Sequence, residues 1–236
     1  MRIRRKKNTV ENLKNFSDFV TVENIGEEFK NNWRKFFDEN NLSRELFVEL
    51  GTGKGDFITQ LAEKNPDKNF LGLEVEREVI LKAARKIQEK NLKNVRLVLF
   101  DINKISEIFA ENEVDGIYIN FCDPWPKKRH AKRRLTHINF LEMYKKILKS
   151  GGEIHFKTDN RGLFDFSLEQ FQLANLKVRD VNFDLHSNEP PENIRTEYEN
   201  KFSALGTKIN SCVIQFKKKA TQIFFASPFF LNFFAF

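Results

Sequence analysis

The run Phe121-Cys122-Asp123-Pro124-Trp125-Pro126-Lys127-Lys128-Arg129-His130-Ala131-Lys132-Arg133-Arg134 holds the residues best placed to do chemistry. The apolar segment Val114 to Phe121 before it reads as a buried strand, so Asp123 sits where a strand ends. Ligands of open α/β sheets bind in the crevice beyond the carboxyl ends of the strands. Pro124 and Pro126 fix their own φ and push Asp123 and Trp125 toward extended backbone, which makes a stiff loop. Six of the eight residues from Lys127 to Arg134 are Lys or Arg. A carboxylate at a strand tip, a held indole and a cationic arm suit chemistry on a polyanion. The plainer alternative is a turn followed by a solvated charge run.

Further acids fall at strand ends. Leu46–Leu50 reads as a strand carrying Glu49, followed by the glycine turn Gly51-Thr52-Gly53-Lys54-Gly55 and a helix through Phe57, Ile58 and Leu61. Asn69 to Glu74 is a second strand, Val79 to Leu92 a helix, and Val95 to Phe100 a third strand ending at Asp101. A helix from His137 to Lys149, with Thr136 as N-cap and Gly151 just past its end, leads to a strand from Gly152 to Thr158 that ends at Asp159. A helix from about Gly162 to Asn175 and strands over Lys177–Phe183 and Lys208–Phe216 complete the pattern. Strands alternating with helices predict a mostly parallel sheet covered on both faces. The aromatic stripe Phe29, Trp33, Phe36 and Phe37, with Ile25, predicts an amphipathic helix over 24–40 whose rings belong to the core.

Glycines at a strand–helix turn let a ligand approach the backbone closely. A pyrophosphate would be repelled by Glu49, whereas an ammonium or sulfonium would be attracted. Glu74 is placed to bind ribose hydroxyls and Asp101 to accept from an adenine amine. This set describes S-adenosylmethionine better than a nicotinamide dinucleotide. The alternative is that the acids are N-caps and surface carboxylates.

The chain has 236 residues, 31% of them charged, and a formal net charge of +7. The basic excess points to nucleic acid or an anionic membrane, and it clusters at Arg2–Lys7 and at Lys127–Arg134. Cys122 and Cys212 form no C-x-x-C pair, so neither a zinc site nor a disulfide framework is expected, and a reducing compartment follows. No pair of histidines has metal-ligand spacing, and no metal is expected; His155 reads as core and His130 as part of the basic arm. The basic N-terminus lacks the apolar stretch of a secretory signal. Three regions are expected: a basic arm over 1–22, a catalytic domain over 23–218 and a phenylalanine-rich tail over 219–236. The apolar part of that tail, Ile223 to Phe236, would span only about 21 Å as a helix and contains Pro228, so no membrane anchor is expected.

The chain resembles the bacterial tRNA (guanine-N7-)-methyltransferases. The resemblance is carried by Glu49-x-Gly51-x-Gly53-x-Gly55, by Asp123-Pro124-Trp125-Pro126-Lys127 with Arg129-His130, by Lys157-Thr158-Asp159-Asn160, by Thr196-Glu197-Tyr198-Glu199 with Lys201-Phe202, and by the start Met1-Arg2-x-Arg4. It covers residues 1 to about 217. Cys122 stands where Ser is usual, and the tail lies beyond the family's usual end. The resemblance implies an α/β class I methyltransferase fold, Rossmann-like, with a mostly parallel seven-stranded sheet and an antiparallel last strand. It implies methyl transfer to N7 of the guanine at tRNA position 46, with tRNA as partner. It further implies that Glu49, Gly51, Gly53, Glu74, Asp101 and Asp123 bind S-adenosylmethionine, that Lys127, Asp159 and Thr196, Glu197, Tyr198 and Glu199 bind substrate, and that Arg129, His130, Lys132, Arg133 and Arg134 contact RNA. A cytoplasmic monomer or homodimer is expected.

The chemistry of N7 suits this reading. The nitrogen has an in-plane lone pair, so no proton need leave before attack, and positive charge arrives on the purine. In-line positioning and fixed negative charge beside the ring are what a protein can add. Asp123 is the catalytic candidate on that basis, acting without being a base. Asp159 or Glu199 could accept from guanine N1 and N2. Trp125 could stack on a base or support its loop. Two rival readings are methylation of an exocyclic amine of RNA and a non-catalytic RNA-binding protein on the same scaffold.

Overall fold

The computed structural model describes residues 9–22, 29–37 and 42–216. The basic run Arg2–Lys7, Ile25 and the phenylalanine-rich tail lie outside the described residues, so nothing of their expected roles is placed.

The elements in chain order are α1 (Thr9–Lys14), β1 (Val20–Thr21), α2 (Trp33–Phe37), β2 (Leu46–Leu50), α3 (Asp56–Lys64), β3 (Asn69–Glu74), α4 (Arg77–Glu89), β4 (Val95–Leu99), α5 (Ile105–Ile108), β5 (Val114–Asn120), α6 (Ile138–Ile147), β6 (Leu148–Thr158), α7 (Arg161–Leu173), β7 (Lys177–Asn182), α8 (Glu197–Ser203) and β8 (Asn210–Gln215). They form one sheet in the order β1-β4-β3-β2-β5-β6-β8-β7. The last strand, β8, runs antiparallel to both neighbours, and the other pairings are parallel. The sheet has eight strands rather than seven because the chain after α1 adds Val20–Thr21 to the edge of β4. Leu13, Phe16 and Val20 are buried there, so residues 9–22 pack on the sheet rather than extend from it.

The central strands carry unbroken apolar runs because both faces are covered. β3 is buried at all six positions. On one face α3 and α4 bring Phe57, Ile58, Leu61, Ile80, Ala84 and Ile87 onto Phe70, Val95 and Leu97. On the other, α6 and α7 bring Phe140, Tyr144, Phe164 and Phe171 onto Ile117, Ile154, Phe156 and Ile214. Trp33 is fully buried on this second face and its indole N–H donates to the Ile108 carbonyl at 2.7 Å. Within the described residues, the helix expected over 24–40 comprises Trp33–Phe37.

Parallel pairing of β4, β3, β2, β5 and β6 puts their carboxyl ends on one edge, as the strand-tip acids require. Several local expectations differ from the structure. The helix expected over His137–Lys149 ends at Ile147, and Gly151 lies inside β6 rather than past a helix end. The N-cap of α6 is His137, whose side chain accepts from Asn139 N–H, whereas Thr136 is buried against Ser167. His155 is no core residue: it stacks on Tyr118 at 4.9 Å, and its side chain is 36% exposed. Trp125 is not extended but has φ 40°, in the left-handed region that a bulky residue before proline seldom adopts.

Candidate active site

The glycine turn follows directly from β2. Gly51 and Gly53 have φ of 76° and 59°, and Gly55, at φ 80°, lies so close to α4 that a Cβ there would meet the Ala83 Cβ at 2.7 Å. The turn is latched to the neighbouring strand: Gly51 and Thr52 N–H both donate to the Leu73 carbonyl, at 2.9 and 3.0 Å. Glu74, at the tip of β3, grips it as well, accepting from Gly53 N–H at 3.0 Å through one oxygen and from Val75 and Glu76 N–H through the other. Above Gly51 there is no heavy atom within 4 Å of where a Cβ would stand, so the backbone is open to a ligand.

Glu49 is 4% exposed and faces this turn. Thr52 Oγ1 and Asn120 Nδ2 donate to its two oxygens, the second at 3.1 Å. Burial pushes its carboxyl up to about 7, against those two hydrogen bonds and the charge of Lys157. A buried carboxylate kept short of compensating cations matches a ligand that brings positive charge.

Across the cleft stands the start of α8. Thr196 caps it, accepting from Glu199 N–H, and Glu199 accepts in return from Thr196 N–H, a reciprocal capping box. This follows from the T-x-x-E spacing, although the helix itself is only seven residues long. Glu197 turns outward and pairs with Lys54 of the glycine turn at 3.0 Å, bridging the two walls. The Tyr198 hydroxyl donates to Asp159 at 3.0 Å, and its ring lies 5.1 Å from Phe121 and 4.2 Å from Phe202. Burial and the Asp159 carboxylate push the Tyr198 hydroxyl up to about 12, so it stays a donor. Glu199 points away from the cleft into the protein, where Lys157 Nζ donates to it at 2.8 Å.

The cleft between these walls has a volume of about 450 Å³. Of the residues singled out in the sequence it is lined by Glu49, Gly51, Gly53, Thr196, Glu197 and Tyr198, with Glu74 behind the turn and Asp159 held at the rim by Tyr198. Lys201 and Phe202 of the same segment line it as well, and it brings in Thr52, Phe57, Asn120 and Phe121, to which the sequence reading gave no ligand-binding role. Asn120 was detectable as a polar residue ending an otherwise apolar strand.

Asp101, Asp123, Lys127 and Glu199 do not line the cleft. Asp101 caps the short turn Ile102–Lys104, accepting from Asn103 at both its backbone and side-chain nitrogens. Asp123 is exposed two residues beyond Phe121, which does line the cleft, and no hydrogen bond to its carboxylate occurs among the described residues. The basic arm forms a 3-10 segment, Lys128–Arg133. Arg134 is committed to the Asp123 loop: its guanidinium donates to the Pro124 and Trp125 carbonyls, both at 3.0 Å, and lies over the Phe166 ring. Arg133 lies over the Trp125 ring at 4.9 Å, and the His130 ring meets Trp125 edge-on. These contacts support the unusual backbone at Trp125, so the indole serves its loop. Lys127, Arg129 and Lys132 remain exposed.

One group of potential metal ligands occurs among the described residues. His186, Glu189 and Glu199 place one donor atom each within 4.8 Å of one another, although their spacing does not advertise it. Lys157 and Arg195 already pair with the two carboxylates, which makes this an ion-pair network.

The strand-tip acids and open glycine turn fit the donor set expected for S-adenosylmethionine. The known proteins to which the chain is similar agree with that geometry. A family model described as "Putative methyltransferase" matches residues 43–212. The chain is 44% identical to a tRNA (guanine-N(7)-)-methyltransferase of Macrococcus caseolyticus, over 92% of this chain and 100% of the relative. It is 46% identical to one of Streptococcus agalactiae, over 89% of this chain and 97% of the relative. Among solved structures, an antibiotic-related methyltransferase superposes with a TM-score of 0.56 at 16% identity, covering 77% of this chain and 92% of that one, a likeness of fold. With a strand order, a glycine turn and a cleft of this kind, and with relatives this similar over nearly their whole length, the chain belongs to the tRNA (guanine-N(7)-)-methyltransferase family.

Proposed function

We propose that this protein transfers a methyl group from S-adenosylmethionine to N7 of a guanine in tRNA, the variable-loop guanine at position 46, in the cytoplasm and as a monomer or homodimer. The observation that carries this reading is the single cleft that sets the buried Glu49 and the glycine turn opposite Thr196, Glu197 and Tyr198. S-adenosylmethionine, when bound, supplies an electrophilic methyl group on a sulfonium. Glu49 holds positive charge beside the turn, and the open backbone of Gly51 lets the ligand lie close. Glu74 is fixed against the turn to receive hydroxyl donors. Tyr198 holds Asp159 at the rim, leaving the other Asp159 oxygen to accept from guanine N1 or N2.

No residue needs to remove a proton from N7. Asp123, exposed two residues beyond the cleft-lining Phe121, provides negative charge near the purine as its ring becomes cationic, and it acts most strongly once bound tRNA excludes water from it. The exposed Lys127, Arg129 and Lys132 meet phosphates, while Arg133 and Arg134 keep the Asp123 loop in shape. Incubation with methyl-labelled S-adenosylmethionine and unmodified tRNA, followed by nucleoside analysis, tests this reading. The label should appear in 7-methylguanosine, and reduction should make the strand cleavable there. Label in an N-methylated exocyclic amine would replace the proposal with the rival chemistry.

A further inference from the structure

Glu199 is 0% exposed, and the acceptor capacity of its carboxylate is taken up inside the protein. One oxygen accepts from His186 Nε2 at 2.8 Å and Asn193 Nδ2 at 3.1 Å; the other accepts from Lys157 Nζ at 2.8 Å and Thr196 N–H at 3.4 Å. Lys157 Nζ is equally committed, donating also to Asn193 Oδ1 at 3.0 Å and to the Ile194 carbonyl at 2.9 Å. The network is therefore closed, with no acceptor left over for a guanine. It joins three separate stretches: the tip of β6 through Lys157, the short 3-10 turn Leu185–Asn188 through His186, and the first turn of α8.

Its geometry has a functional consequence. Thr196, Glu197 and Tyr198 line the cleft one turn above Glu199, and Tyr198 is tied to Asp159, two residues beyond Lys157. The wall of the cleft is thus fixed to β6 at two levels, Asp159 to Tyr198 at the surface and Lys157 to Glu199 beneath. His186 fastens the lower level from the opposite side, and the cleft-lining residues do not include it.

We propose that His186 is a positioning residue for methyl transfer: through Glu199 it locks the first turn of α8, so that the Thr196–Tyr198 wall is set before tRNA arrives, and Glu199 itself acts as the hub of this lock rather than as a contact to the base. The proposal rests on the methyltransferase reading for its kinetic part and on the network alone for its structural part.

The test compares wild type with His186→Ala, His186→Asn, whose amide is too short to reach Glu199, and His186→Gln, whose amide nitrogen can replace the donor. Removing a hydrogen bond to a buried charged group should raise KM for tRNA or lower single-turnover rate by about tenfold in the alanine and asparagine variants, and glutamine should restore it to within about twofold. Affinity for S-adenosylmethionine, measured by calorimetry, should stay within about twofold throughout, since Glu49, Glu74 and the glycine turn lie outside the network. Amide hydrogen exchange over residues 196–203 should quicken about tenfold in the alanine and asparagine variants and not in glutamine. The exchange measurement needs no activity, so a wild type that methylates no tRNA would count against the proposed reaction and leave the lock to be judged on exchange. If His186→Ala is too unstable to purify, His186→Asn against His186→Gln carries the same comparison. Unchanged exchange and kinetics in the asparagine variant, or a loss that glutamine fails to restore, would overturn the proposal.

Discussion

If Glu49 faces the sulfonium as proposed, cofactor binding should depend on pH. Burial lifts its carboxyl from the ordinary 4.5 to about 7 in the folded protein. A ligand that places positive charge beside it selects the ionised form, so binding below 7 must first displace a proton. With one such group, the apparent dissociation constant scales as one plus the ratio of protonated to ionised Glu49, which makes affinity at pH 6 about tenfold weaker than that of the ionised form. Calorimetric titration with S-adenosylmethionine at pH 6, 7 and 7.5 reads this directly, and titration in buffers of different ionisation enthalpy counts the proton released. Glu49→Gln should bind more weakly and lose the pH dependence between 6 and 7. The same group acts on stability with opposite sense. Between 4.5 and 7 the folded ligand-free protein binds more protons than the unfolded chain, so the contribution is full below the unfolded value and is lost as pH rises through 7. About 2.5 pH units at about 1.4 kcal/mol each amounts to roughly 3 kcal/mol. The reasoning is refuted if wild-type affinity is flat from pH 6 to 7.5, or if the glutamine variant shows the same slope.

Asp123→Asn keeps the loop's shape and removes its charge; single-turnover rates at saturating tRNA should fall by about 10²–10³, and a value within about threefold of wild type would leave Asp123 as loop structure. Neutralising Arg129 and Lys132 should weaken tRNA binding and reduce the dependence of log K on log salt by about two phosphate contacts, with cofactor affinity unchanged; an unaltered slope would mark these charges as solvated. Arg134→Ala should behave differently, because its guanidinium holds Pro124 and Trp125: turnover should fall at constant salt slope as the Asp123 loop loosens. Gly55→Ala combines a left-handed backbone with an encounter with Ala83 and should destabilise the protein by about 3 kcal/mol in urea unfolding, and an unfolding midpoint equal to wild type would show that the turn can move away from α4.

The strands and the edge on which their acids fall were legible because apolar periodicity and strand-end position are local properties of the chain. Once β2 to β6 are parallel, Glu49, Glu74, Asp123 and Asp159 must share an edge, and the T-x-x-E spacing of Thr196 and Glu199 already encodes a capping box. What each acid does on that edge was decided by packing. Glu49 and Glu199 are both glutamates close to the cleft. Glu49 meets mainly uncharged donors and is pushed toward neutrality, whereas burial of Glu199 is outweighed by Lys157, His186 and Asn193, which hold it below the usual carboxylate range. His186 lies 29 positions from Lys157 in the sequence, and no periodicity links them; only the return of the chain after β7 sets both against one carboxylate. The basic arm gives the same lesson. Its six cations are alike in sequence, yet Arg134 is drawn inward by the Pro124 and Trp125 carbonyls and the exposed Arg133 is laid over an indole face, while Arg129 and Lys132 stay in water. Composition determined that this region would be cationic, and the tertiary contacts of Trp125 decided which cations remain available to RNA.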